Sequence, residues 1–259
     1  METKKETHFL LKWYQNSVII VALIALWFVL AHFMDSMYVP SPLKVLNEFG
    51  KLIASGELFK HIGTSLKIAF IGLLIGQVLA IPLGALLGWY SKAYRYLDPI
   101  LTVLRNTSIL AILPLFVLFL GIGDLPKIAI IAWGTFFPTF INTLQGVKTV
   151  DPILIRSAQS MGIGNLGLFF KVVLPAASPY ITSGFRQAAS VALLVIVGAE
   201  MIGARYGIGY MVFVAQKAYM VSKMYVGIIT IAILGVVVNY LVERLERYVI
   251  RWQEKPSLS

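Results

Sequence analysis

Long apolar stretches separated by short charged loops run through most of the chain. A membrane-spanning helix needs roughly 20 apolar residues in a row. Stretches near this length predict an all-α integral membrane protein with about six transmembrane helices, over residues 17–33, 61–90, 99–121, 127–144, 179–202 and 226–242. In the third stretch Pro114 predicts a kink, because proline lacks the N–H group that a continuous helix uses.

Residues 40–60 have a different pattern. Leu43, Leu46, Phe49 and Ile53 recur at helical spacing, whereas the charged residues fall between them. This pattern is typical of an amphipathic helix that lies in the membrane interface, with its apolar face in lipid.

The composition agrees with a membrane protein and narrows the possible partners. Of the 259 residues, 58% are hydrophobic and 13% are charged, whereas a soluble domain has about 25% charged residues. The net charge of +10 would suggest nucleic acid in a soluble protein. Here the basic residues flank apolar stretches, so they indicate contact with anionic lipid headgroups of the bilayer and no nucleic-acid partner.

The distribution of lysine and arginine predicts the orientation. Cytoplasmic loops of membrane proteins are enriched in these residues, and a cytoplasmic N-terminus places the larger share of them inside. We therefore expect a cytoplasmic N-terminal segment (1–16), a transmembrane domain (17–250) with an uncleaved first span, and a cytoplasmic tail (251–259). The loop 151–175, called here the coupling segment, then also faces the cytoplasm.

The coupling segment is predicted to begin with a short helix and a sharp turn. Asp151-Pro152 indicates a helix start, since aspartate accepts hydrogen bonds from free N–H groups and proline fits the first turn. Gly162 indicates a turn with a positive φ angle.

A second short helix is predicted over residues 166–173, and Leu168, Phe169 and Phe170 are expected to project from it as apolar contacts. Leu174-Pro175 is expected to end it, because the residue before a proline leaves the α region. A short helix of this kind at a membrane surface is suited to dock into a groove of another protein.

The coupling segment resembles the EAA loop, a signature of the permease subunits of bacterial ATP-binding-cassette importers. The signature reads Glu-Ala-Ala, three residues, Gly, nine residues, Ile, one residue and Leu-Pro. The same spacing occurs here with Arg156-Ser157-Ala158, Gly162, Val172 and Leu174-Pro175. Because Arg156 replaces the glutamate, an ionic contact made by that glutamate is not carried over.

Further short motifs look like the nitrate, taurine and alkanesulfonate branch of these permeases. They are distributed from residue 39 to residue 252 and comprise Leu104-Arg105-Asn106, Pro114-Leu115, residues 119–123, Phe137-Pro138, residues 141–143, Ala199-Glu200 and residues 207–210.

The resemblance implies the fold of a type I importer permease in the bacterial inner membrane. It also implies the partners: a second copy of the chain, two cytoplasmic ATPase subunits and an extracytoplasmic substrate-binding protein. By position in the signature, the residues expected to couple to the ATPase are Arg156, Ser157, Ala158, Gly162, Leu168, Phe169, Phe170, Leu174 and Pro175.

A few polar residues inside apolar stretches are candidates for the translocation path. A charge such as Glu200 costs about 2.5 to 3.5 kcal/mol or more inside a bilayer, so it should face a cavity or a partner. It either lines the path or pairs structurally, for example with Arg205. Arg105, Asn106 and Asn142 have the same two interpretations, since polar groups also join helices within bundles.

The chain contains no G-x-x-x-x-G-K-[ST] phosphate loop and no cysteine, and its three histidines have no metal-ligand spacing. We therefore expect no catalytic residue, metal or cofactor in this chain, and ATP hydrolysis on another subunit. The predicted function is the permease subunit of an importer for a small anion (a sulfonate, nitrate or taurine) or a vitamin precursor (a pyrimidine or riboflavin type). An ion-coupled carrier or a non-transporting scaffold are the alternatives.

Overall fold

The computed structural model describes residues 21–34 and 38–249, and these are helical almost throughout. Eleven α-helices follow one another within the described residues: α1 (Val21–Phe33), α2 (Pro42–Ala54), α3 (Glu57–Trp89), α4 (Ser91–Asn106), α5 (Ile109–Leu120), α6 (Asp124–Lys148), α7 (Pro152–Ser160), α8 (Asn165–Leu168), α9 (Leu174–Glu200), α10 (Ile208–Lys217) and α11 (Val221–Val249). A π-helical turn, Phe169–Val173, joins α8 to α9.

Contacts between residues divide the chain into two units. Among the described residues, the first unit comprises 21–34, 38–59 and 211–229, and the second comprises 60–210 and 230–249. The transmembrane domain predicted over residues 17–250 includes parts of both, while the predicted end segments 1–16 and 251–259 lie outside the described residues.

In the second unit, glycines on α3 bring this helix into direct contact with α6. A Cβ atom added at Gly72 would lie 2.7 Å from Ile131, one at Gly84 would lie 2.7 Å from the carbonyl oxygen of Phe140, and one at Gly88 would lie 2.8 Å from Val147. Small residues at a membrane helix interface allow this close approach. Because residue numbers rise together on both helices, α3 and α6 run parallel.

A parallel pair of spanning helices requires the chain between them to cross back. The connecting residues form α4 and α5, which meet at a 93° bend located at Thr107-Ser108. The predicted single kinked span over residues 99–121 is therefore wrong in detail. The helix continues through Pro114, and the break lies at the two polar residues that follow α4.

Helix α9 packs antiparallel to α6. Tyr180 and Ala177 of α9 face Gly146, and Asn142 faces Gly184 further along α9. Apolar side chains of α3, α5, α6, α9 and α11 complete the core of this unit, among them Ile68, Leu113, Ile130, Ile196 and Val242.

In the first unit, α1 is attached through Trp27. Its ring stacks on Tyr225 with centroids 5.9 Å apart, and its Nε1 donates a hydrogen bond to the carbonyl oxygen of Pro40 at 3.2 Å. Helix α2 forms within the predicted stretch 40–60, with Ser41 as its N-cap. It ends earlier than predicted, at Ala54, because Gly56 turns the chain with a φ of 73° and α3 begins at Glu57. Leu43 and Leu46 remain exposed on α2, which leaves their face available to a membrane interface.

In the part of the chain that the structure describes, four helices are long and apolar enough to cross a membrane, and the number is five if the bent α4–α5 pair is counted as one span. Within the described residues α1 is shorter than a full span, and the start of the predicted first span, residues 17–20, lies outside them.

The glycine contact predicts a position-specific effect of added methyl groups. Gly84→Ala should destabilise the bundle by about 1–3 kcal/mol, because the methyl group would press on the backbone of α6. The measurement is thermal unfolding in detergent. Gly63→Ala on the same helix is the matched control, since a Cβ there meets nothing within 4 Å, and equal effects at both positions would refute the close contact.

Candidate functional site

The coupling segment begins as the sequence predicts. Asp151 caps α7, because its carboxylate accepts a hydrogen bond from the backbone N–H of Ile153 at 2.8 Å, and Pro152 occupies the first turn. Gly162 follows α7 with a φ of 80°, a conformation that favours glycine over residues with a Cβ atom.

The predicted end of the second short helix at Leu174-Pro175 is wrong. The backbone N–H of Leu174 donates to the carbonyl oxygen of Phe169, five residues earlier, and Pro175 lies in the first turn of α9. Proline in a regular helix would collide with the preceding turn, and the wider π turn accommodates it. Helical structure therefore continues from Asn165 to Glu200.

The structure separates the apolar side chains of the second short helix into two sets. Leu168 and Phe169 were predicted to project from the surface, but they are 1% and 8% exposed, respectively. Phe169 packs edge-on against Trp89 with ring centroids 5.7 Å apart. By contrast, Phe170 is 61% exposed and Leu166 is 78% exposed. Only the second set can form a contact surface in this conformation.

The residues that match the EAA triplet lie on α7. Arg156 and Ser157 are exposed, whereas Ala158 is buried. The carbonyl oxygen of Ala158 accepts a hydrogen bond from the backbone N–H of Ile163 at 3.2 Å, which closes the turn over Gly162. A small residue at this position lets the turn fold back onto α7.

Glu200 ends α9 at the opposite end of the unit from the coupling segment. Its side chain is 0% exposed. One carboxylate oxygen accepts a hydrogen bond from Ser65 Oγ at 2.7 Å, and the other accepts one from the backbone N–H of Gly209 at 2.9 Å. These groups stabilise a carboxylate that would otherwise be buried without partners.

Two residues of α3 complete this arrangement, and neither was predicted to be a site residue. Ser65 Oγ also accepts a hydrogen bond from the N–H of Ile208 at 2.9 Å, and His61 Nδ1 accepts one from the N–H of Gly207 at 3.0 Å. Together with Glu200, they satisfy N–H groups at the start of α10, which have no partner within their own helix. The only signal in the sequence was their one-turn spacing, which suggests a common face.

The remaining path candidates have local partners of their own. Asn106 Nδ2 donates to the carbonyl oxygen of Thr102 at 2.8 Å, and Arg105 is exposed beside it in the last turn of α4. Asn142 Nδ2 donates to the carbonyl oxygen of Pro138 at 2.8 Å and to Gln187 Oε1 at 3.3 Å. The structure therefore places these residues at the α4–α5 bend and between α6 and α9, separate from the hydrogen bonds of Glu200.

Arg186 links α9 to α11. Its guanidinium lies 3.7 Å from Glu243 and 3.5 Å from Glu246, and Nε donates to Asn239 Oδ1 at 3.3 Å. A charged residue within a spanning helix is expected to find such partners.

The family model described as "binding-protein-dependent transport system inner membrane component" matches residues 80–251. The chain belongs to this family. It is a multi-pass inner-membrane component of a transport system, so the predicted class of protein is confirmed.

Individual relatives extend the match over most of the chain. The aliphatic sulfonates transport permease protein SsuC of Bacillus subtilis (strain 168) is 36% identical over 243 residues, covering 93% of this chain and 88% of that protein. SsuC of Escherichia coli (strain K12) is 37% identical over 234 residues, covering 90% and 89%. The taurine transport system permease protein TauC of E. coli (strain K12) is 30% identical over 240 residues, covering 90% and 87%.

A solved structure is similar in fold. A chain of the inward-facing MetNI methionine ABC transporter superposes with a TM-score of 0.68, covering 75% of this chain and 96% of its own, at 20% sequence identity. This likeness confirms the fold of an importer permease.

The contacts of Glu200 predict which of its neighbours matter for stability. Glu200→Leu should destabilise the protein by about 1–3 kcal/mol for each buried donor left without an acceptor, and Ser65→Ala should destabilise it by less. Arg205→Ala should leave stability unchanged, since Arg205 is not among the hydrogen-bond partners of Glu200. Thermal unfolding of the three variants tests this. A loss of stability in Arg205→Ala as large as the loss in Glu200→Leu would instead favour the Glu200–Arg205 pair.

Proposed function

We propose that the chain forms the membrane path of an ATP-driven importer for a small organic oxyanion of the sulfonate class. The support for this class is the sequence similarity, over most of the chain, to SsuC and TauC, whose names specify aliphatic sulfonates and taurine. Two copies of the chain form the path, a substrate-binding protein delivers the solute from outside, and ATP is hydrolysed on two separate cytoplasmic subunits. Both chain ends are cytoplasmic in this arrangement.

The observation that carries the proposal is the exposed apolar surface of the coupling segment. Met161, Leu166 and Phe170 are all more than half exposed, on a loop that joins two spanning helices. Neighbouring Arg156 and Lys171 are also exposed. Apolar side chains beside exposed charges are typical of a protein interface, which has an apolar centre and a polar rim, and not of a surface in the lipid core. We infer that it docks into a groove of the ATPase subunit.

The residues that do not reach the surface have a mechanical part in this proposal. Phe169 attaches the segment to α3 and α6 by packing with Trp89 and Val147, and Leu168 beside it is buried. Gly162 allows the turn between α7 and α8, and Leu174-Pro175 lies within the continuous helix. Movement of the docked surface is therefore passed to α9 as a rigid body, which opens the path alternately to either side.

The ion-coupled alternative receives less support. Such a carrier needs an ionisable group that exchanges ions within the membrane. Glu200 was the candidate for that role, and it is fully buried with both carboxylate oxygens hydrogen-bonded.

Phe170 variants test the docking surface. Phe170→Asp should weaken co-purification of the ATPase about ten-fold or more, because a large aromatic anchor is lost and a charge is placed in its groove. ATP-dependent uptake of ethanesulfonate into proteoliposomes should fall with it. Phe170→Leu, which keeps an apolar side chain, is the control and should retain most of both.

Thermal stability of the isolated chain should stay unchanged in both variants, since Phe170 is exposed. Wild-type co-purification and uptake in Phe170→Asp would show that the ATPase is coupled through another surface.

A further inference from the structure

A cavity of about 550 Å³ opens at the end of the second unit opposite the coupling segment. It lies where α3 and α6 begin and where α9 is followed by the loop to α10. The polar and charged side chains that line it are Thr64, Asp124, Lys127, Arg205 and Tyr206. Its volume is within the range of small-molecule sites, roughly 300–1,000 Å³.

The cavity contains a buried positive charge. Lys127 is only 4% exposed, and its Nζ lies 2.7 Å from Oδ1 of Asp124. Burying an ammonium group is costly unless opposite charges and hydrogen bonds compensate. The partner carboxylate is itself mostly exposed, at 63% of its side chain, so water competes for it and the compensation is partial.

Arg205 adds a second cation without a protein partner among the described residues. It is exposed at the cavity wall and takes part in no ion pair or hydrogen bond there. Among the residues that line the cavity, Lys127 and Arg205 against Asp124 leave a surplus of one positive charge. The Glu200 carboxylate, which also attracts Lys127, lies outside the lining and is hydrogen-bonded to Ser65 and Gly209. A ligand with a single negative charge would neutralise the surplus of the lining.

The loop that carries Arg205 is held in place by contacts with α3. Tyr206 lies between Lys60, whose Nζ is 3.8 Å from the ring centroid, and the ring of His61, 6.2 Å away. The next residue, Gly207, donates its N–H to His61. A Cβ at Gly207 would collide with the Glu200 carboxylate, so the loop is seated directly on the buried network of Glu200. A fixed loop loses less entropy when a ligand binds.

The geometry points to a binding site for a monovalent oxyanion group in this cavity, held by the Arg205 guanidinium, with Lys127 supplying the second positive charge. Guanidinium groups bind two oxygens of a sulfonate or carboxylate at once through parallel N–H groups. The expected ligand is the charged head of a small organic anion, such as an alkanesulfonate. This inference rests on the proposed function only for that choice of ligand.

The site is tested by titrating ethanesulfonate into the full-length chain in phosphatidylcholine nanodiscs, without nucleotide, by calorimetry. Arg205→Ala should weaken binding about ten-fold or more, because hydrogen bonds to charged groups are the strong ones. Arg205→Lys should retain part of the affinity. Arg95→Ala is the matched control, since Arg95 is an exposed arginine of α4 near the coupling end, and it should bind as the wild type does.

A second titration with acetate distinguishes the sources of the oxyanion. Preference for ethanesulfonate supports a site for the free solute, whereas preference for acetate, lost in Arg205→Ala, supports a site for a carboxylate side chain of the external binding protein. Failure of both anions to bind, or binding unchanged in Arg205→Ala, would overturn the site. Because the assay needs no ATPase, its result is independent of the Phe170 experiment.

Discussion

The close parallel contact of α3 with α6 is the constraint on which the remaining arrangement depends. Gly72, Gly84 and Gly88 leave no room for side chains between the two helices, so the pair cannot separate or slide without losing contacts along its whole length. Because the helices are parallel, the chain must recross between them, and α4 with α5 does so. The same constraint places the beginnings of both helices at one end of the unit and the coupling segment at the other.

A continuous helical rod connects these two ends. From Asn165 to Glu200 the helical segment has 36 residues, which at 1.5 Å per residue corresponds to about 54 Å. The π turn is what makes this continuity possible, since it accommodates Pro175 without a break. The exposed surface around Phe170 and the buried network of Glu200 thus lie towards opposite ends of one uninterrupted helical segment.

Local features of the coupling segment were predictable, whereas features set by packing were not. The cap of Asp151 and the positive φ of Gly162 depend on side-chain chemistry within one or two turns, and both are present. The exclusion of Phe169 from the surface depends on Trp89, which is distant in sequence, and the bend at residues 107–108 depends on how α5 packs against α6 and α9. Apolar periodicity indicates that a face is buried or bound, but it does not distinguish the interior from a partner.

Glu200 shows the same limit and adds a physical reason. A lone carboxylate in an apolar stretch indicates a partner, but the sequence does not show which donor that partner is. Arg205 was as plausible as any other group. The structure resolves this in favour of neutral donors, the hydroxyl of Ser65 and the N–H of Gly209. Backbone N–H groups at a helix start carry partial positive charge, so α10 can compensate the carboxylate without an arginine. Arg205 then remains exposed at the wall of the cavity. Its guanidinium, which the hydrogen bonds of Glu200 do not use, is available to the anion that we propose binds there.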